Sequence, residues 1–210
     1  MLKSRFGFLN WWPADTEDEM LIGAILTQNT SWKNVEKAIA SLKESGMLSL
    51  DALSDASTSD IAARIRSSGF YRQKAERLKL FSSRITSYGG ARSFFKKSKD
   101  PRRELLEISG IGNETADSML LYAGNVPVFV IDAYTRRVLG RVFSVDSESM
   151  SYEQVQTMLQ ALLPKKILLY KDFHAQFVEL AKNYCRKRPL CDECPVKRVC
   201  NYARRKAQHA

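Results

Sequence analysis

The 210-residue chain has no stretch of about 18 consecutive apolar residues, which excludes a membrane-spanning helix on sequence grounds. Its opening stretch, "MLKSRFGFLNWWPADTED", has no long apolar core and no small-residue cleavage site, so a cytoplasmic location is expected. Internal repeats and low-complexity tracts are absent, and no Pro/Gly/Ser-rich linker marks a domain boundary. Strand patterning is nearly absent too. Only "VPVFVID" (126–132) reads as extended, and Pro127 limits it to a lone segment. What the composition lacks most is acidic balance. Lys and Arg total 33 against 23 Asp and Glu, a formal charge of +10. That excess suits a polyanionic partner, most simply nucleic acid, and equally a merely basic soluble protein. The cations gather in "KKSKDPRR" (96–103), "RKR" (186–188) and "ARRKAQHA" (203–210), the last read as a solvated tail.

What is present is helical periodicity. "EDEMLIGAILTQNTSWKNVEKAIASLKES" places Leu21, Ile22, Ile25 and Leu26, then Val35, Ala38, Ile39 and Leu42, at helical spacing. "TSDIAARIRSSG" carries a Thr58 or Ser59 cap and Gly69 as a stop; "YRQKAERLKLFSSRITSYGG" stops at Gly89-Gly90. Pro101 opens "PRRELLEIS" at a favourable first helical position. "ETADSMLLYAG", "AYTRRVLGRVF", "SYEQVQTMLQALLP" and "KDFHAQFVELAKNYC" continue the pattern. Many helices with short connections predict an all-α, multi-helix fold.

All the cysteines fall in one window, "CRKRPLCDECPVKRVC": Cys185, Cys191, Cys194 and Cys200, spaced C-x5-C-x2-C-x5-C. In a cytoplasmic setting such bunching points to a metal site rather than disulfides. Four thiolates without a nearby His suit either a [4Fe–4S] cluster or tetrahedral zinc. Arg186, Lys187 and Arg188 lie between the first two cysteines and are a candidate phosphate contact.

"SGIGNETAD" places Gly110 and Gly112 between two helical runs. It lacks the third glycine and the preceding strand of a dinucleotide-binding turn. Backbone N–H groups at such a turn can grip a phosphate, although an ordinary helix-hairpin turn reads the same way. Further on, Asp132 ends an apolar run and opens an amphipathic helix. It reads as an N-cap, or as a carboxylate held ionised at a helix N-terminus where it can stabilise a developing cation or activate water.

Taken in order, these motifs resemble the helix-hairpin-helix DNA glycosylases of the endonuclease III type. Gly110-Ile111-Gly112, the helix from Thr115 and Asp132 resemble that family's hairpin and catalytic aspartate; Cys185 to Cys200 resemble its iron–sulfur motif. "MLIGAILTQNTSWKNVEKA" is similar to its first core helix and Gln-bearing loop, and "SGFYRQKAERL" to its wedge segment. The resemblance covers roughly residues 15–200. It implies a two-domain all-α fold: a six-helix domain over 21–130 with the hairpin at about 105–120, and a cluster-bearing domain from 1–20 plus 131–210 with its loop at 185–200. A DNA cleft would lie between them.

It also implies a monomer acting on double-stranded DNA that contains a damaged base, associated with the nucleoid. Phe70 and Tyr71 would wedge into the duplex, and Gln28 would fill the vacated space. Asp132 would be catalytic, and an alkali cation would sit on the hairpin carbonyls. Two departures matter. The family usually has six residues between the first two cysteines, and this chain has five. Where endonuclease III has a Schiff-base lysine, this chain has Glu114, so little or no strand-cutting lyase activity is expected. Trp11, Trp12, Pro13, Trp32 and Glu114 together look like the base pocket of the 3-methyladenine DNA glycosylase III subgroup. An N-alkylated purine, cationic and a good leaving group, is the expected substrate. Oxidised pyrimidines, mispaired thymine or uracil, and a non-catalytic DNA-binding module are the alternatives. His174 is expected to be structural.

Overall fold

The structure, a computed structural model, describes residues 1–208, so the last two residues of the basic tail lie outside it. Among the described residues there are helices and no strand. In chain order they are α1 (Leu2–Phe6), α2 (Glu17–Leu26), α3 (Trp32–Glu44), α4 (Leu50–Asp55), α5 (Thr58–Arg64), α6 (Tyr71–Thr86), α7 (Ala91–Lys97), α8 (Pro101–Leu106), α9 (Asn113–Tyr122), α10 (Ala133–Phe143), α11 (Tyr152–Leu162), α12 (Ile167–Asn183) and α13 (Asn201–Gln208). No helix among these residues is long and apolar enough to cross a membrane.

Local chemistry sets most of the starts. Thr16, Ser49, Ser57, Asp100, Asp132 and Ser151 each accept a first-turn amide, and Ser151 with Gln154 forms a reciprocal capping box. The cap of α5 is thus Ser57, one residue before the expected Thr58 or Ser59. Gly69, Gly89 and Gly90 do adopt positive φ after the helices they were expected to end.

The chain divides into two compact units, Trp12–Val126 and Met1–Trp11 joined with the chain from Pro127 onward. In the first, α2 is the central element. Met20 to Leu26 are all buried, and α3, α6, α7 and α9 pack around it. Each fully buried Leu or Ile there contributes about 2 kcal/mol, so this helix anchors the unit. α4 and α5 pack on α6, and α8 on α9. In the second unit α12 is central, packed by α1 and α10, and α13 packs on α10.

The "VPVFVID" segment is extended but unpaired with any strand, for a visible reason. Phe129, Val130 and Ile131 are buried, and side chains satisfy both backbone groups of Phe129 and the Ile131 amide. Gln160 Oε1 accepts from the Phe129 amide at 2.9 Å, Gln156 Nε2 donates to the Phe129 carbonyl at 2.7 Å, and Tyr152 Oη accepts from the Ile131 amide at 3.2 Å. α11 therefore replaces a sheet neighbour.

The two hairpin helices are locked by a fork that the sequence did not announce. Arg102 of α8 donates through Nε and Nη2 to both oxygens of Asp117 on α9, at 2.7 and 3.3 Å, and through Nη2 to Asn113 Oδ1 at 3.0 Å. The Asp117 side chain is fully buried. Removing the guanidinium would leave a buried carboxylate without its counter-charge. Arg102→Ala is expected to cost about 3 kcal/mol, read as a lowered thermal midpoint, and Arg102→Lys is expected to recover only part of it because an ammonium cannot form the fork.

Candidate functional site

The hairpin turn between α8 and α9 is exposed at both glycines, but for different reasons. Gly110 has φ +85°, so the backbone demands glycine, and a Cβ there would displace the Arg77 side chain, whose Nε lies 2.1 Å from that position. Gly112 is extended, with nothing within 4 Å of a Cβ position. Its lack of a side chain serves whatever approaches the N-terminus of α9 from outside. Glu114, in the first turn of α9, is exposed.

Gln28 faces this turn. Its Nε2 donates to Gly110 O and Thr115 Oγ1, each at 3.0 Å, and its Oε1 accepts from Arg77 Nη1 at 2.8 Å. Phe70, the expected wedge, is 65 % exposed and adopts the left-handed conformation (φ 47°, ψ 31°) just before α6. An exposed aromatic in that backbone region is held there by its surroundings. Tyr71 is half-buried, with the guanidinium carbons of Arg66 and Arg72 at 5.6 and 5.9 Å from its ring.

Lys74 braces the chain just before Phe70. Its side chain is buried, and Nζ donates to Leu26 O at 2.8 Å and to Ser68 O at 2.6 Å. Burial, reinforced by the neighbouring Arg77 charge, pushes its pKa down to about 8. Sequence reasoning passed over it, yet its position was informative. Lys74 shares the buried stripe of α6 with Ala75, Leu78, Phe81, Ser82 and Ile85.

Of the expected pocket residues, Trp12, Pro13 and Trp32 line one cavity, with Glu19 and Glu36 beside them. Trp12 meets Trp32 edge-on at 5.6 Å and Tyr122 at the same distance. Trp11 and Glu114 do not line this cavity. Trp11 belongs to the other unit, with Lys182 Nζ 5.6 Å from its ring centre. The carboxylates and Tyr122 were not singled out in the sequence. Glu19 and Gly23 on α2, and Glu36 and Ala40 on α3, are four residues apart, which is the spacing that could have revealed them.

Asp132 combines both of its readings. As N-cap of α10 its Oδ1 accepts the Thr135 amide at 2.6 Å, while its Oδ2 lies 3.5 Å from Nε2 of the buried His174. Burial opposes ionisation and is the largest single influence. The His174 hydrogen bond and charge, together with Thr135, outweigh it and hold the carboxyl below its ordinary value. His174, expected to be structural, is thus the second partner of this carboxylate.

The four cysteines line a single cavity, together with Arg141 and Tyr202 among others, and none forms a disulfide. Burial raises the Cys191 and Cys194 thiols, and the sulfurs of the cysteine group raise them further. Arg141 Nη1 is 3.6 Å from Cys185 Sγ, and Cys200 Sγ donates to Arg141 O at 3.5 Å. Among the described residues no three His, Cys, Asp or Glu side chains are drawn up as a formed metal site. Arg186, Lys187 and Arg188 are exposed on the loop. Among the described residues Arg137 and Arg141 pair with no carboxylate: Arg137 Nε donates to Cys185 O at 2.7 Å, and Arg141 Nη2 to Lys187 O at 3.1 Å.

Residues 22–165 match the family described as HhH-GPD superfamily base excision DNA repair protein. MJ1434 of Methanocaldococcus jannaschii, which carries the provisional name of a DNA repair glycosylase, is 45 % identical over 204 residues, covering 95 % of this chain and 92 % of its own. Endonuclease III of Thermotoga maritima is 31 % identical over 191 residues, covering 90 % and 84 %. The crystal structure of the H. pylori 3-methyladenine DNA glycosylase MagIII bound to 1,N6-ethenoadenine is similar with a TM-score of 0.71 and 31 % identity, over 82 % of this chain and 87 % of that one. A non-covalent endonuclease III–DNA complex gives a TM-score of 0.83 at 21 % identity, over 99 % and 94 %, and so shows the shared fold.

The two roles of Asp132 are separable. Asp132→Asn keeps an acceptor for the Thr135 amide but loses the charge that the fold favours, so it should be destabilised at neutral pH, and Asp132→Ala further, by about 1 kcal/mol for the lost cap. Because the folded-state pKa is depressed, the wild-type carboxylate contributes stability that is present above its unfolded value and lost as pH falls through its folded one. Acid titration of unfolding should show that component in the wild type and not in Asp132→Asn.

Proposed function

This chain belongs to the HhH-GPD superfamily of base excision DNA repair proteins, and on that footing we propose that it is a monofunctional DNA glycosylase for alkylated purines. DNA glycosylase activity itself follows from the family. The substrate reading rests on one observation: the cavity where Trp12 and Trp32 stand beside Glu19 and Glu36, two carboxylates against the single ammonium of Lys43, which is itself paired with Asp15. Electron-rich rings and carboxylates together attract a flat cation, and an N-alkylated purine is one. The 31 % identity with an alkyl-purine glycosylase structure supports the same reading.

In this mechanism the hairpin glycines and the basic loop residues Arg186, Lys187 and Arg188 meet DNA phosphates. Phe70 and Tyr71 enter the duplex, Gln28 takes the vacated space, and the damaged nucleotide is extruded. Asp132, held anionic, stabilises the oxocarbenium-like sugar as the C1′–N bond breaks. The bonding pair leaves with the base, neutralising its positive charge. Water adds its oxygen to C1′, and the proton it loses passes to the Asp132–His174 pair. The products are a free base and an abasic site. With Glu114 at the position of the endonuclease III lysine, no amine stands there to form a Schiff base.

The cysteine loop fits a [4Fe–4S] cluster held by Cys185, Cys191, Cys194 and Cys200. Four thiols that form no disulfide share one cavity, with Arg141 Nη1 3.6 Å from Cys185 Sγ. Such a cluster would supply a rigid clamp, presenting Arg186 to Arg188 as a fixed cationic loop. The protein would act as a monomer on duplex DNA.

Excision should be fastest on alkylated-purine duplexes in a panel that also contains thymine glycol, G·T and G·U. Fastest release of thymine glycol would shift the reading to the endonuclease III-like alternative, which the Thermotoga relative favours. Asp132→Asn should abolish base release while leaving DNA affinity within about twofold, and retained release would overturn the catalytic assignment. Borohydride should trap no wild-type adduct on abasic DNA but should trap one with Glu114→Lys. Trapping of the wild type would end the monofunctional reading and turn attention to Lys171, whose pKa burial lowers. Iron and acid-labile sulfide should be found in equal amounts in the wild type and lost in Cys191→Ser. Zinc in their place would identify the other metal.

A further inference from the structure

We propose that Arg77 is a positioning residue for nucleotide extrusion, presetting the Gln28 side chain and joining it to the phosphate-gripping turn. The inference rests on the glycosylase reading above. Three features carry it. First, the Gln28 amide is fully assigned: both Nε2 hydrogens go to Gly110 O and Thr115 Oγ1, and Oε1 accepts from Arg77. A flipped amide would set NH2 against the guanidinium and a carbonyl against Gly110 O, so Arg77 dictates which way Gln28 points. Second, the Arg77 side chain occupies the place of a Cβ on Gly110, with Nε 2.1 Å from that position. The glycine of the turn thereby admits Arg77 as well as relaxing the backbone. Third, Arg77 lies one turn beyond Lys74 on α6, and Lys74 binds the carbonyls of Leu26 and Ser68. One face of α6 thus fixes, in succession, the segment before Phe70, the segment before Gln28, and Gln28 itself.

Nor is Arg77 engaged elsewhere as an ion pair. Among the described residues it makes none with a carboxylate. Its charge is left for the vicinity of the turn. A gap-filling residue that is held in one orientation enters the duplex without first losing rotamer freedom. The same contact makes docking of the turn and placement of Gln28 a single event.

The test separates extrusion from general damage to the fold. Arg77→Met should slow excision of an alkylated purine in paired duplex about tenfold, the loss of one charge-assisted hydrogen bond. Opposite an abasic site, where unpairing is already provided, the same variant should lose less than about twofold. Arg77→Lys should not restore the rate, because a single ammonium cannot hold Gln28 and cover Gly110 together. On a Gln28→Ala background, Arg77→Met should add no further loss. Equal loss on paired and unpaired substrates, independent losses in the double variant, or faster excision by Arg77→Met would each overturn the proposal. Extrusion can also be followed without bond cleavage, through the fluorescence of a purine analogue beside the lesion. If the wild type excises nothing, the glycosylase reading fails by itself, while unchanged fluorescence in Arg77→Met would refute the role of Arg77.

Discussion

A single buried ammonium organises the Trp12–Val126 unit. Lys74 reaches from α6 to the carbonyl of Leu26, the last residue of α2, and to that of Ser68, just before the Gly69–Phe70 entry into α6. The residues after those carbonyls, Gln28 and Phe70, are the ones assigned to enter DNA. Burial at this position lowers the lysine pKa to about 8, so the ammonium is retained at neutral pH at a real energetic cost. What that cost secures is geometry. Phe70 is held exposed in a left-handed backbone, and Gln28 is brought within reach of Arg77 and the Gly110 carbonyl. A hydrophobic residue at position 74 would pack the core but leave two carbonyls without this donor.

In the other unit, α12 plays the corresponding part. Asp172 accepts the Leu9 amide at 2.9 Å, Gln176 Nε2 donates to Gly7 O at 2.7 Å, and Arg5 Nη2 donates to Tyr184 Oη at 2.7 Å. These bonds tie the N-terminal arm to the helix that carries His174 and leads into Cys185. α10 is bound to the same helix at two points along its length. Asp132, at its start, meets His174, and Arg137, further along, holds the carbonyls of Ala181 and Cys185. The proposed catalytic carboxylate and the cysteine loop are therefore mounted on one helix pair.

The fold class and helix starts were legible because they follow local rules. Capping residues precede helices, Pro101 opens α8, and apolar spacing marks α2 and α3. The cysteine window and Asp132 were legible because their residue types and spacing carry chemistry of their own. What escaped was long-range pairing. Nothing local marks Arg102 as the partner of Asp117, fifteen residues away, nor His174 as the partner of Asp132. Trp11 and Trp12 are neighbours in sequence yet fall in different units, because the division of the chain runs between them. The pocket carboxylates Glu19 and Glu36 read as ordinary solvated faces until Trp12 and Trp32 are placed beside them. Gly110 and Gly112 read alike in the sequence, but only Gly110 has the positive φ.

The net charge of +10 has a structural counterpart in how the cations are satisfied. Arg136 donates to the carbonyls of Ser147 and Met150, Arg137 to those of Cys185 and Ala181, and Arg141 to those of Arg186 and Lys187. Lys74 and Lys79 likewise bind backbone carbonyls, Lys79 those of Ser54 and Ala56. A carbonyl satisfies the donor and leaves the charge in place, whereas a carboxylate would cancel it. The same side chains that brace loops and helix ends thus also maintain a positive field. Against a polyanion such a field acts over roughly a Debye length, about 8 Å at physiological salt, and so adds attraction beyond the residues in contact. Binding to duplex DNA would then weaken with salt in proportion to the phosphates neutralised. Loss of a bracing arginine would be felt twice, once as a loosened loop and once as a diminished field.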